Sequence, residues 1–472
     1  MATLAAVDLG AQSGRVAVGR FDGERLSVAE VHRFENTPVR VRNTLHWDIL
    51  RVYHEVLAGL RAAGRVDSIA VDSWAVDFGL LDRSGRLLQN PVHYRDSRRA
   101  RAMADVLERV PARELYERTG IQLIPINTIF ELGAMAAEND AALAAADTLL
   151  LIPDLFHYWL SGARASEFTN ATTTQCFDPR RGAWAGELLE RLGVPSRLLP
   201  DVVQPGTVLG RFEDAGVVAV ATHDTGSAVA AIPFRSPGAA FVSAGTWSLV
   251  GVEVQEPVIT DASFAANLTN EGGVDGTFRL LRNVTGLWLV HECRRAWDNA
   301  YSFEQLVALA RDAPALRSFI EPNDPVFAEP GDMPARIREF CARTGQPEPA
   351  EPGAVVRCIL ESLALKHAQT VELLASVTGV TPREIHVVGG GARNELLCRW
   401  TADASGLPVH AGPEEATLLG NLLVQAMSLG DIGSLAQARE IVAASFAPTT
   451  YEPRETEAWS EARERFALEV PV

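Results

Sequence analysis

Twice in this 472-residue chain an apolar run stops at a glycine turn and resumes at once as a second strand-like run. Residues 3–7 lead into Asp8-Leu9-Gly10 and on to Ser13-Gly14-Arg15, and residues 15–21 alternate apolar and polar. Residues 238–242 lead into Ser243-Ala244-Gly245-Thr246, and residues 247–252 follow as the next strand. The recurrence predicts two copies of one α/β domain, each opening on a hairpin. A chain of this length exceeds a single core, which agrees with two domains.

The first copy continues with an alternating strand at 25–32 after Asp22-Gly23. Asp48 stands where it can cap a helix with Ile49, Val52, Tyr53, Val56 and Leu60 on its apolar face, and residues 68–72 form the next strand. Three strands, a helix and a strand is the opening of a ribonuclease-H-like domain. In the second half a helix over 354–377 closes at Gly379, and a strand at 385–388 runs into Gly389-Gly390-Gly391. Pro233 to Pro237 reads as the linker, which divides the chain into domains 1–232 and 238–445 and a helical tail, 446–472. Residues 322–352, rich in Pro, Glu and Gly, read as a surface excursion.

Composition excludes several classes. A formal net charge of −17 argues against nucleic acid or an anionic membrane as partner. The most apolar stretch, 141–160, is interrupted by Asp147, Pro153 and Asp154 and predicts no membrane span. Five widely spaced cysteines with no Cys-x-x-Cys pair predict free thiols in a reducing cytoplasm. The N-terminus shows no basic segment or cleavage site, so a cytoplasmic location is expected.

The turns carry the chemistry. Glycine lets successive backbone N–H groups converge on an anion with no Cβ in the way. The chain has one lysine, Lys366, inside a predicted helix, so neither a P-loop nor a protein-kinase lysine strand is present. Phosphate would have to be held by amides, hydroxyls and a metal ion. Asp8 ends a strand and can reach Mg2+ through water, although a plain hairpin turn would look the same. Asp224, in His223-Asp224-Thr225-Gly226, reads either as a helix N-cap or as a base at the mouth of a crevice, since the apolar run 217–221 precedes it. Gly245-Thr246 offers amides and a hydroxyl. Gly389-Gly390-Gly391-Ala392-Arg393-Asn394 misses a dinucleotide fingerprint by its last glycine and suits a flat adenosine slot instead. Trp74, Trp247 and Trp288 could stack on a sugar, although buried packing is the better reading, and His93, His157, His291 and His386 read as structural.

These stretches are joined by His46-Trp47-Asp48, Asp72-Ser73-Trp74-Ala75-Val76-Asp77-Phe78, Tyr94-Arg95-Asp96-Ser97-Arg98, Thr119-Gly120-Ile121-Gln122 and Thr169-Asn170-Ala171-Thr172-Thr173-Thr174-Gln175. Asn270-Glu271-Gly272-Gly273 and Ala411-Gly412-Pro413-Glu414 complete an ordered series from residue 3 to about 450. The series resembles the FGGY carbohydrate kinases of the actin-like ATPase superfamily. The resemblance implies an α/β fold of two ribonuclease-H-like domains with an active-site cleft between them, and transfer of a phosphoryl group from ATP, with Mg2+, to a primary hydroxyl of a ketose. The 1-hydroxyl of L-rhamnulose is the expected acceptor, with L-fuculose, xylulose or gluconate as alternatives. It further implies Asp224 as catalytic base and Asp8 as metal residue. Ala11, Gln12, Ser13, Gly14, Arg15, Thr246, Gly390 and Asn394 would hold ATP, and Ala75, His223, Asp224, Thr225 and Asn283 the sugar. Ala75 stands where relatives often carry glycine, and His291 where they carry glutamine. A monomer or homodimer whose halves close over the sugar is expected. A silent sugar sensor of the same fold is the non-enzyme alternative, but it should lack one of the two aspartates.

Overall fold

In the computed structural model, which describes residues 2–470, the strands collect into a six-stranded and a seven-stranded sheet, apart from short two-stranded pairings. Met1 and the last two residues of the expected tail lie outside the described residues. The first sheet contains β1 (Ala2–Leu9), β2 (Ser13–Phe21), β3 (Leu26–Glu35), β4 (Ser68–Ser73), β5 (Thr207–Phe212) and β6 (Ala215–Ala219), in the order β5-β6-β4-β1-β2-β3. The second contains β7 (Ala240–Ala244), β8 (Trp247–Val254), β9 (Thr269–Gly272), β10 (Phe278–Thr285), β11 (Ile385–Val388), β12 (Val409–Ala411) and β13 (Thr449–Tyr451), in the order β9-β10-β8-β7-β11-β12-β13.

The two sheets repeat one pattern. β1 pairs antiparallel with β2, from Ala2 opposite Phe21 to Leu9 opposite Gly14, and parallel with β4 on its other side. β7 likewise pairs antiparallel with β8 and parallel with β11. Parallel strands sit under cover on both faces and so read as continuous apolar runs. All of β4 and β11 is buried.

The helices used below are α1 (Ile49–Ala63), α2 (Ile152–Ser161), α3 (Asp224–Ala230), α4 (Trp288–Ala296), α5 (Pro352–Thr378), α6 (Glu395–Ser405), α7 (Ala416–Ser428) and α8 (Thr456–Glu469). Ile49, Val52, Val56 and Leu60 form the buried stripe of α1, at the spacing the sequence shows. Asp48 stands at its N-cap position without a side-chain capping bond.

The chain divides into two compact units, Met1–Pro233 with Glu253–Leu280 and Ala416–Phe446, and Phe234–Val252 with Leu281–Glu415 and Ala447–Val472. The first crossover falls at the proline linker, but the units are not the contiguous stretches 1–232 and 238–445. The cause is packing: α7 presses on α3, β1 and β4, so a late segment completes the first unit. Two further expectations need correction. Residues 322–352 contain a helix over Met333–Arg343 whose Met333, Ile337, Phe340 and Cys341 are buried, with Asp332 capping and Pro334 in the first turn. The tail is not wholly helical. β13 adds to the edge of the second sheet beside β12 before α8 begins.

Candidate active site

In the first unit, β1, β4 and β6 run parallel, so their carboxyl ends lie at one edge of the sheet. That edge is where α/β proteins place ligands, because the chain must leave each strand there. It collects carboxylates. Asp8 closes β1, Asp72 is its direct partner on β4, and the chain leaving β6 reaches His223 and Asp224 within four or five residues, with His223 bridging to Ser73.

Asp224 is the first residue of α3, so it is not the N-cap; His223 is. Its Oδ1 accepts the Thr225 backbone N–H at 2.6 Å and lies 3.2 Å from His223 Nε2. The side chain keeps 35% of its surface exposed, and the acceptor capacity of Oδ2 is open. Burial pushes the Asp224 carboxyl above the usual range, and the Asp8 charge adds to the effect, against His223 and Thr225. Such a carboxylate is a better proton acceptor than a solvated one.

The site is built on buried polar supports. Glu167, fully buried, takes the Thr222 N–H and hydroxyl at 2.9 and 2.7 Å and the Thr169 hydroxyl at 2.6 Å, and Thr169 Oγ1 in turn accepts the His223 N–H at 3.2 Å. These bonds fix the backbone just before Asp224. Asp72, also fully buried, accepts from Asn421 Nδ2 of α7 at 2.6 Å. Burial first, then the charges of Asp8 and Asp224, hold its carboxyl well above the usual range.

The segment after β4 is strained. Asp77 N–H donates to Ala75 C=O at 3.0 Å around Val76, whose φ is 69°. A β-branched residue in that region is a true outlier, and tight turns of this kind are costly unless the surroundings enforce them. Here they do. Asp77 Oδ2 accepts from Trp47 Nε1 at 2.6 Å, Trp74 Nε1 at 3.1 Å and the Tyr94 N–H at 3.1 Å, while Oδ1 takes Arg99 Nη2 at 2.5 Å. Ala75, beside the turn, stays partly exposed.

Asp8 Oδ2 holds Arg15 through Nε and Nη2 at 2.9 and 2.8 Å across the hairpin. The turn between them is closed by Gly10 N–H to Ser13 C=O at 2.9 Å and clamped by Asn36, which bonds Gly10 C=O and Gln12 C=O. Ala11, Gln12 and Ser13 face outward on this turn, with Gln12 exposed and Gly14 buried. Among the described residues no three His, Cys, Asp or Glu side chains are grouped to hold a metal. Mg2+ needs no such cage, since it keeps several waters and takes one or two carboxylates plus phosphate oxygens. The Asp8 carboxylate beside a turn of small residues fits that requirement.

In the second unit the Gly245-Thr246 turn is closed by Gly245 N–H to Trp247 C=O at 2.7 Å. The start of α4 holds it from behind, with Leu287 N–H on Gly245 C=O and Gly286 N–H on Thr246 C=O. A Cβ on Gly286 would stand 2.6 Å from the Trp247 carbonyl carbon, so only glycine fits. The Gly389-Gly390-Gly391 turn after β11 packs against the end of β7, where a Cβ on Gly391 would meet that of Ala244 at 2.4 Å. Thr246 and Gly390 therefore belong to neighbouring turns, with Thr246 partly exposed and Gly390 exposed.

The residues 3–226 match the model of the N-terminal domain of the FGGY family of carbohydrate kinases, and 240–429 match that of its C-terminal domain. The chain belongs to this family. It is 41% identical to a rhamnulokinase of Bacteroides thetaiotaomicron over 97% of each chain, and 42% identical to one of Pectobacterium carotovorum over 96% of this chain and 93% of that one. In fold it is similar to xylulose kinase from Lactobacillus acidophilus (TM-score 0.81, 16% identity, 99% and 97% coverage). The same holds for Plasmodium falciparum glycerol kinase with ADP (0.78, 15%, 98% of each).

Of the residues singled out from sequence, this FGGY kinase brings Asp8, Arg15, His223, Asp224 and Thr225 to the edge of one sheet, and Thr246 and Gly390 to paired turns in the other unit. Asn283 lies on β10, where its carbonyl accepts from Asn323 Nδ2 at 3.2 Å. Asn394 is buried, and its Oδ1 caps α6 through the Leu397 N–H at 3.1 Å, which is a structural task. Sequence reasoning gave no role to Asp72, Glu167, Glu271, Arg279 or Gly286. A charged residue next to the apolar run Ile69-Ala70-Val71 was the available signal for Asp72, whereas Arg279 shares its strand with Arg282 and Asn283 and does not stand out.

Proposed function

We infer that this FGGY kinase transfers the γ-phosphoryl group of ATP to the 1-hydroxyl of L-rhamnulose, the reading supported by relatives named rhamnulokinase across nearly the whole chain. The observation that carries the chemistry is Asp224, a carboxylate of raised pKa with one oxygen committed to the protein and the other open. As the sugar oxygen bonds to the γ-phosphorus, its proton passes to Asp224 Oδ2 and the bond to the bridging oxygen breaks, leaving ADP. Phosphoryl transfer needs little covalent help, so positioning and charge carry the rate. Amides of the Gly10–Gly14 and Gly245–Thr246 turns suit the phosphates, and Gly390 suits the adenosine. Mg2+, held through Asp8 and water, would neutralise phosphate charge. Ala75, His223, Thr225 and Asn283 would contact the sugar. The five cysteines, all free and buried, suit a reducing cytoplasm.

Asp224→Asn tests this directly. Turnover should fall ~10²–10⁴-fold, the range for a lost general base, while calorimetric binding of the sugar persists. Near-normal turnover in the variant would remove Asp224 from the role.

A further inference from the structure

We propose that Arg279 is a positioning residue for the catalytic base, setting the tautomer of His223 so that its ring proton faces Asp224. The inference rests on Asp224 being the base, and it assigns to Arg279 a task that packing alone does not demand.

His223 is 6% exposed and sits between two acidic side chains. Nε2 lies 3.2 Å from Asp224 Oδ1, and Nδ1 lies 3.2 Å from Glu271 Oε2. A neutral imidazole has one proton to give, and the neighbours decide which nitrogen keeps it. Arg279, which is fully buried on β10, decides. It donates from Nε to Gly272 C=O at 2.9 Å and from Nη2 to His223 Nδ1 at 3.2 Å. A guanidinium only donates, so Nδ1 must present its lone pair and the proton must sit on Nε2. Glu271 Oε2 is just as near Nδ1, but it also lies 3.3 Å from Arg279 Nη1 and neutralises the guanidinium.

The consequence falls on Asp224. With Nε2–H and the Thr225 N–H both directed at Oδ1, the carboxylate is oriented and Oδ2 is left to take the hydroxyl proton. The opposite tautomer would set a lone pair against the carboxylate and turn the imidazole away. A wrong tautomer beside an otherwise intact catalytic group is known to be costly to turnover.

Two measurements test the assignment. In the wild-type protein labelled with 15N-histidine, with the His223 signals identified by their loss in His223→Asn, Nδ1 should resonate as an unprotonated nitrogen and Nε2 as a protonated one. In kinetics, Arg279→Met should lower kcat ~10–100-fold, the usual scale for an orienting partner. Because Arg279→Met leaves Glu271 buried without its cation, the neutral double variant Glu271→Gln/Arg279→Met is measured beside it and should show the same kcat loss. Arg279→Lys, which keeps a donor-only cation, should recover part of the rate. A protonated Nδ1 in the neutral ring, or wild-type kcat in the folded double variant, overturns the proposal. Asp224→Asn with undiminished turnover would instead overturn the base assignment, and the nitrogen spectrum would still report the tautomer.

Discussion

His157 shows how a buried residue outside the site sets a condition on the whole enzyme. It lies on α2 with no exposed surface, and its Nε2 accepts the Val71 N–H of β4 at 2.9 Å. Burial pushes its pKa down to about 3, as it does for His93 and His367. The unfolded chain takes up these protons below about pH 6.5 and the folded one does not until about pH 3, so stability is full above 6.5 and declines as pH falls through that window. Each such histidine costs ~1.4 kcal/mol per pH unit, or ~2 kcal/mol by pH 5. Urea midpoints at pH 7 and pH 5 check this. His157→Gln, which keeps an acceptor for Val71, should show a smaller drop between the two pH values than the wild type, and equal drops would contradict the argument. The sequence showed His157 to be structural, since no metal spacing surrounds it. The hydrogen bond to Val71 was out of reach, because nothing local links residues 71 and 157.

At the scale of elements, α7 is the part that most directly ties fold to chemistry. Its Asn421 and Gln425, one turn apart, point into the first unit: Asn421 holds Asp72, and Gln425 bonds Ala5 C=O at 3.0 Å and Ser68 Oγ at 2.5 Å. Gly420 sits against α3 so closely that a Cβ would stand 1.8 Å from Ser227 C=O. Gly420→Ala should therefore force the two helices apart at a cost of about 1–3 kcal/mol and displace Asp224 at the head of α3. Thermal denaturation should show a lowered Tm, and the assay a lowered kcat; wild-type values for both would mean that a methyl at Gly420 neither strains the helix pair nor disturbs the site. No local sequence pattern marks α7 as part of the site. Its polar pair and its glycine gain meaning only from what they touch, and those partners are hundreds of residues away. The helix over Met333–Arg343 was missed for a nearer reason, since its flanking prolines and glycines resemble a loop although Asp332 and Pro334 start a helix.

For the molecule as a whole, the repeated hairpin openings were enough to predict two similar sheets, while the apolar run before His223 left Asp224 open as a helix N-cap or as a residue at a crevice where strands end. Strand periodicity and turn chemistry are local, and both are written in consecutive residues. The interleaving of the two units was not legible, because a segment joins a unit through packing that has no sequence signature. The supports of the base, Glu167, Glu271 and Arg279, were hidden for the same reason. ATP-dependent phosphorylation of L-rhamnulose at its 1-hydroxyl is open to direct test. The most direct measurement is ATP consumption by the wild-type enzyme over L-rhamnulose, L-fuculose, xylulose and gluconate, with NMR of the product. The highest kcat/KM is expected for L-rhamnulose, with a phosphorus coupled to carbon 1. Rapid turnover of another sugar with none of L-rhamnulose, or a phosphate on a different carbon, would contradict it.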